Sequence, residues 1–97
     1  MPVDTDEIET GVRTVTRENE YLTERAKAIV TFLKSQGIDA RHDTHSMVKP
    51  DKRGTMRQRT SVWVNIYGEN ARDVAEAVER GCDGKRLNPP EGERVAV

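Results

Sequence analysis

The chain has 97 residues, 34% hydrophobic and 34% charged, enough for one domain with a small core and not for two. Sixteen Lys and Arg stand against seventeen Asp and Glu, a net charge of −1, so binding to nucleic acid or a lipid surface needs a local patch rather than a global attraction. One cysteine, Cys82, excludes an internal disulfide framework, and no apolar run approaches the roughly 20 residues of a membrane span.

The opening MPVDTDEIET is acidic and lacks the basic-then-apolar order of a secretory signal, so the expected location is the cytoplasm, or an assembly formed inside a cell, neither secreted nor membrane-bound. Residues 1–16 read two ways. Ile8, Val12 and Val15 have helical spacing behind early acids, whereas Gly11 and the β-branched GVRTVT suit an edge strand. The segment is left as an arm of open structure.

From Arg17 to Gln36 the pattern is helical: Leu22, Ala26, Ile29 and Leu33 form a stripe, with Val30 and Phe32 widening it and Gly37 as the left-handed cap. IDARHDTHSMV then alternates, with Ile38, Ala40, His42 and Thr44 on one side and Asp39, Arg41, Asp43 and His45 on the other. That is a polar strand toward a sheet edge. After a basic segment, TSVWVNIYG turns Val62, Val64 and Ile66 inward and Trp63, Asn65 and Tyr67 outward. A second amphipathic helix follows, with Asn70 as N-cap, Ala71, Val74, Ala75, Val78 and Cys82 as its stripe, and Gly81 or Gly84 at its end.

The expected fold is a small two-layer α+β domain, an antiparallel sheet of two to four strands against two helices in the order α-β-β-α. It spans residues 17–84, with the arm before it and a turn-rich C-terminal linker, 85–97, whose RVAV has room for a short strand. Val64 and Ile66 should meet Ile29, Leu33, Val74 and Val78. A small sheet with one bare face leaves Trp63 and Tyr67 to solvent, which a partner subunit would remedy.

Motifs for catalysis are missing from the sequence. His42 and His45 point to opposite faces of a strand, and His45 with Asp43 falls short of a zinc ligand set. Cys82 lies at a helix C-terminus, where thiols are not activated. No glycine-rich phosphate loop or nucleophile elbow occurs. The expectation is a protein that is not an enzyme and uses no metal or cofactor.

The strongest functional signal is MVKPDKRGTMRQRT, where Lys49, Lys52, Arg53, Arg57 and Arg59 stand against one acid, Asp51. Pro50, Gly54 and the lack of apolar periodicity suggest a loop over 49–59, mobile alone and ordered on a partner. It could be a solvated hairpin loop, a phosphate-binding segment or an assembly contact. Trp63 and Tyr67 could stack on bases or pack against protein, the latter being favoured.

TSVWVNIYGENARDVAEAVERGCDG resembles the strand-then-helix core of small tail-terminator or tail-completion proteins of long-tailed phages, and RAKAIVTFLKSQGIDARHD is similar to their opening helix and first strand. The likeness spans about two thirds of the chain, which is shorter than such proteins and lacks a clear middle strand. It implies a ring-forming, non-enzymatic virion component at the head–tail junction, with copies of itself and other structural proteins as partners. The helix–sheet–helix order is also similar to the double-stranded-RNA-binding domain, but ENARDVAEAVERG starts with Glu69 and carries Asp73 and Glu76 where that family has basic residues. The expected function is therefore protein–protein assembly. The alternative is a nucleic-acid-binding accessory protein that uses the basic segment.

Overall fold

Most of the segment expected as an arm is helical. In the computed structural model, which describes residues 3–87 and 92–97, α1 spans Thr5–Glu18 and starts on Asp4, whose carboxylate accepts the Asp6 and Glu7 amides, each at 3.1 Å. Gly11, which seemed to argue against a helix, is a packing notch. A methyl at this position would collide with the Cζ end of the Phe32 ring of the next helix, α2 (Leu22–Ser35). Gly81 plays the same part in the last helix, α3 (Ala71–Cys82), where a Cβ would lie 2.8 Å from the Glu9 carbonyl and the Val12 side chain.

The helix expected from Arg17 is thus two helices. Asn19 ends α1 by turning its side-chain amide onto the Val15 carbonyl at 2.7 Å, and its backbone is extended (φ −124°, ψ 120°). At the far end of α2, Gly37 takes φ +77° as expected; the Ile38 and Gly37 amides donate to Leu33 and Lys34 carbonyls, both at 3.0 Å. Asn70, expected to cap α3, makes no side-chain cap. Gly68 (φ +110°) turns the chain into the helix and its carbonyl takes the Ala71 amide. Neither expected glycine supplies the positive φ at the end of α3. Asp83 does, at φ 53°, because Gly84 is needed where a Cβ would be 2.5 Å from the Ala96 carbonyl.

Strands β1 (Asp39–Pro50), β2 (Met56–Tyr67), β3 (Lys85–Leu87) and β4 (Glu93–Ala96) form one antiparallel sheet in the order β1-β2-β4-β3. The strand expected at RVAV is β4; β3, inside the expected linker, was missed because three residues carry too little periodicity to read. The order is α-α-β-β-α-β-β with three helices, and not α-β-β-α with two.

Ala40, Val62, Val64, Ile66 and Val95 turn to the helices and are buried. As expected, Val64 and Ile66 share one core with Ile29, Leu33, Val74 and Val78. Helices α2 and α3 cover the sheet, while α1 rests on those two helices, burying Ile8 and Val12 between them. Leu22, expected on the inner stripe, stays 41% exposed at the start of α2.

The segment expected to be a long loop is the outer end of a hairpin. The β1–β2 register runs unbroken from Asp39↔Tyr67 to Pro50↔Met56, leaving residues 51–55 as the only turn between them. The Asp51 carbonyl accepts the Gly54 amide at 3.0 Å, Gly54 takes φ +81°, and the Asp51 carboxylate accepts the Arg53 and Thr55 amides. The single acid of the basic segment is therefore the residue that closes its turn. Apolar periodicity is absent because no helix lies beneath this part of the hairpin: from His45 to Pro50 and from Lys52 to Ser61 every residue is exposed. The projecting arm gives the molecule its 52 × 29 × 17 Å extents.

Candidate interaction surface

Strand alternation decides which side chains share the uncovered face of the sheet. With Val64 inward, Trp63, Asn65 and Tyr67 turn outward, joined across the ladder by Asp43, Arg41 and Asp39 and on the other side by Ala96 and Arg94. Lys85 and Leu87 of β3 continue two of these rows. Further out, His45, Met47 and Lys49 face Ser61, Arg59 and Arg57 on the same side of the arm. Of the cations singled out from the sequence, Lys49, Arg57 and Arg59 therefore lie on one face with Trp63 and Tyr67. Lys52 and Arg53 lie in the turn.

The aromatics are not bare. The Arg94 guanidinium sits 5.0 Å from the centre of the Trp63 ring, held there by a 2.6 Å bond from its Nε to Asn65 Oδ1. Arg41 lies 5.9 Å from the Tyr67 ring centre, and His45 is tilted against Trp63 at 6.5 Å. These arginines half-bury the rings that seemed to need a partner subunit. Sequence reading placed Arg41 on the correct side but gave it no role. Arg94 could not be seen at all, since its place depends on how β4 pairs with β2.

The near-neutral total hides a separation of charge. The open face and turn carry eight cations (of sixteen in the chain) against three acids (of seventeen). Residues 4–36 and 69–83, the helices and their flanks, carry seven cations against twelve acids. Some of those acids are paired within the layer, as Glu9 is with Arg13 and Arg80 and Glu76 with Arg86 at its edge. On the arm, Arg57 pairs with Asp51 at 3.2 Å, and an open hollow of about 370 Å³ lies among Asp51, Lys52, Arg53, Arg57 and Arg59.

His42 and His45 point to opposite faces, as alternation requires. Among the described residues no group of three or more His, Cys, Asp or Glu side chains is placed to share a metal ion. Burial pushes the Cys82 thiol above its ordinary pKa, more than the Gly84 amide beside it lowers it. Among the described residues no helix is long and apolar enough to cross a membrane. No family model, no curated protein and no solved structure matches the chain.

Proposed function

We propose that this protein is a non-enzymatic assembly module whose copies join face to back, the cationic open sheet of one against the acidic helical layer of the next. The observation that carries the reading is the opposite charge of these two surfaces on one chain. Unlike surfaces on the same subunit make heterologous contacts, which close into rings when the rotation allows. Trp63, Tyr67, Arg41 and Arg94 supply the aromatic and arginine side chains that interface centres favour. The arm reaches beyond its own core and could contact a neighbouring copy. A ring with these properties suits a phage tail-terminator or neck component, the finer form of the proposal, with other virion proteins as further partners.

Native mass at micromolar concentration, followed across salt, tests it. A multimer at low salt that dissociates as salt rises, and that Arg94→Glu weakens, is the expected result. A monomer at every salt concentration overturns it.

One observation favours a second reading. Lys49, Arg57 and Arg59 line one face of the arm with Lys52 and Arg53 at its tip, an arrangement suited to following a phosphate backbone. Salt-sensitive gel shifts by a monomer would put this reading first. Replacing Lys52, Arg53 and Arg57 together would then flatten the slope of log affinity against log salt by up to about three.

A further inference from the structure

We infer that the outer edge of β2, from Met56 to Thr60, is a strand-addition site for an extended segment that alternates acidic with apolar or hydroxyl residues. The inference does not depend on ring formation. The edge follows from the ladder: the Val62 carbonyl accepts the Val97 amide at 3.0 Å, so the even-numbered residues of β2 point their backbone groups toward β4. Among the described residues, pairing with β4 covers Trp63 to Ile66, plus that last bond at Val62. The N–H and C=O groups of Met56, Gln58 and Thr60 therefore form a row with no backbone partner among the described residues.

Three features say what kind of strand fits this row. Arg57 and Arg59 flank it on the open face, so residues of an incoming strand on that face should be acidic. Met56 (60% exposed), Gln58 and Thr60 flank it on the other face and suit apolar or hydroxyl neighbours. Beside Ala96 and Val97, a groove of about 380 Å³ also lined by Leu22, Val62, Trp63 and Leu87 can take an apolar side chain at the end of such a strand. The same edge of a second copy fits poorly, because antiparallel pairing about Gln58 would set Arg57 opposite Arg59 in both directions. The outer edge of β1 is a weaker candidate: it mixes Asp39, Arg41 and Asp43 on its open face and ends at Pro50, which has no N–H to offer.

The test uses three synthetic heptapeptides: Thr-Glu-Val-Glu-Val-Glu-Thr, its lysine counterpart, and a shuffled form with the three glutamates together. Trp63, the single tryptophan, lines the groove and reports binding by its fluorescence. The alternating acidic peptide should shift that emission and slow amide exchange at Gln58 and Thr60, and the lysine peptide should do neither. N-methylation at the peptide positions that face β2 should weaken binding at least about tenfold, while N-methylation at the alternate positions should not. Gln58→Pro should do the same from the protein side, since that N–H plays no part in the bonds to β1. Equal binding of the shuffled or edge-methylated peptide, or unchanged exchange at Gln58 and Thr60, overturns the inference. Protection of those amides without peptide, rising with protein concentration, overturns it too, by making a second copy the occupant.

Discussion

The two halves of the β1–β2 hairpin share one ladder and differ in almost everything else. In the inner half, Ala40, Val62, Val64 and Ile66 are buried beneath α2 and α3, and the opposite side carries Trp63 and Tyr67 under their arginines. In the outer half Val48 and Met56 occupy the helix-side positions, yet are 59% and 60% exposed because no helix reaches them. The inner half is held by burial, the outer by its ladder and its turn. The same pairing can thus serve as core or as projecting limb, according to what lies on its faces.

Truncation across the two halves is the strongest way to break that comparison. Ile66→Ala should cost about 2–5 kcal/mol, a large part of what a domain of this size has, and Val48→Ala less than about 0.5 kcal/mol. Chemical denaturation measures both. An unchanged midpoint for Ile66→Ala would mean that the sheet faces the other way.

Gly11→Ala asks whether packing or propensity governs α1. Alanine is the better helix former by about 1 kcal/mol, but its methyl must displace the Phe32 ring, so a net loss of about 1–3 kcal/mol is expected. A stabilised variant would show that α1 does not sit against Phe32.

Gly54→Ala tests the limb alone. At φ +81° with open space around it, the added methyl strains only the backbone, by about 1 kcal/mol. Faster amide exchange at Lys49 and Arg57 with little change in global melting is the expected outcome. A large fall in melting temperature would tie the arm to the core.

The smallest effect concerns Cys82. Burial raises its thiol pKa in the folded state, so its contribution to stability is complete below the unfolded thiol's pKa and is lost as pH rises through the folded one. A thiol reagent at about pH 8 should react more slowly with the folded protein than with the unfolded chain. Equal rates would put Cys82 outside the core.

What could be read from the sequence followed periodicity. The alternation through TSVWVNIYG placed Val62, Val64 and Ile66 inside and the aromatics outside, and RHDTH gave the correct sides of an edge strand. Where periodicity was missing, the reading failed for definite reasons. Gly11 carries information only in relation to Phe32, which lies in another helix. Asn19 divides two helices by a side-chain bond to Val15 that composition does not reveal. The arm lacked an apolar stripe because both of its faces are exposed, so regular pairing looked like a loop. Trp63, Tyr67 and the five cations could be picked out, but that some of them share a face with Arg41 and Arg94 depends on β4 pairing beside β2.

The separation of charge between sheet and helices also makes the molecule an electric dipole at a net charge of −1. Five of the eight cations, Lys49, Lys52, Arg53, Arg57 and Arg59, lie on the projecting arm, so the two excesses are set apart along the molecule's long axis, 52 Å in extent against a Debye length of about 10 Å in ordinary buffers. A surface of either sign therefore meets a matching side before the opposite one cancels it. Near its pI of about 6.1 the protein should still be retained, at low ionic strength, by both cation- and anion-exchange resins, turned one way on the first and the other way on the second.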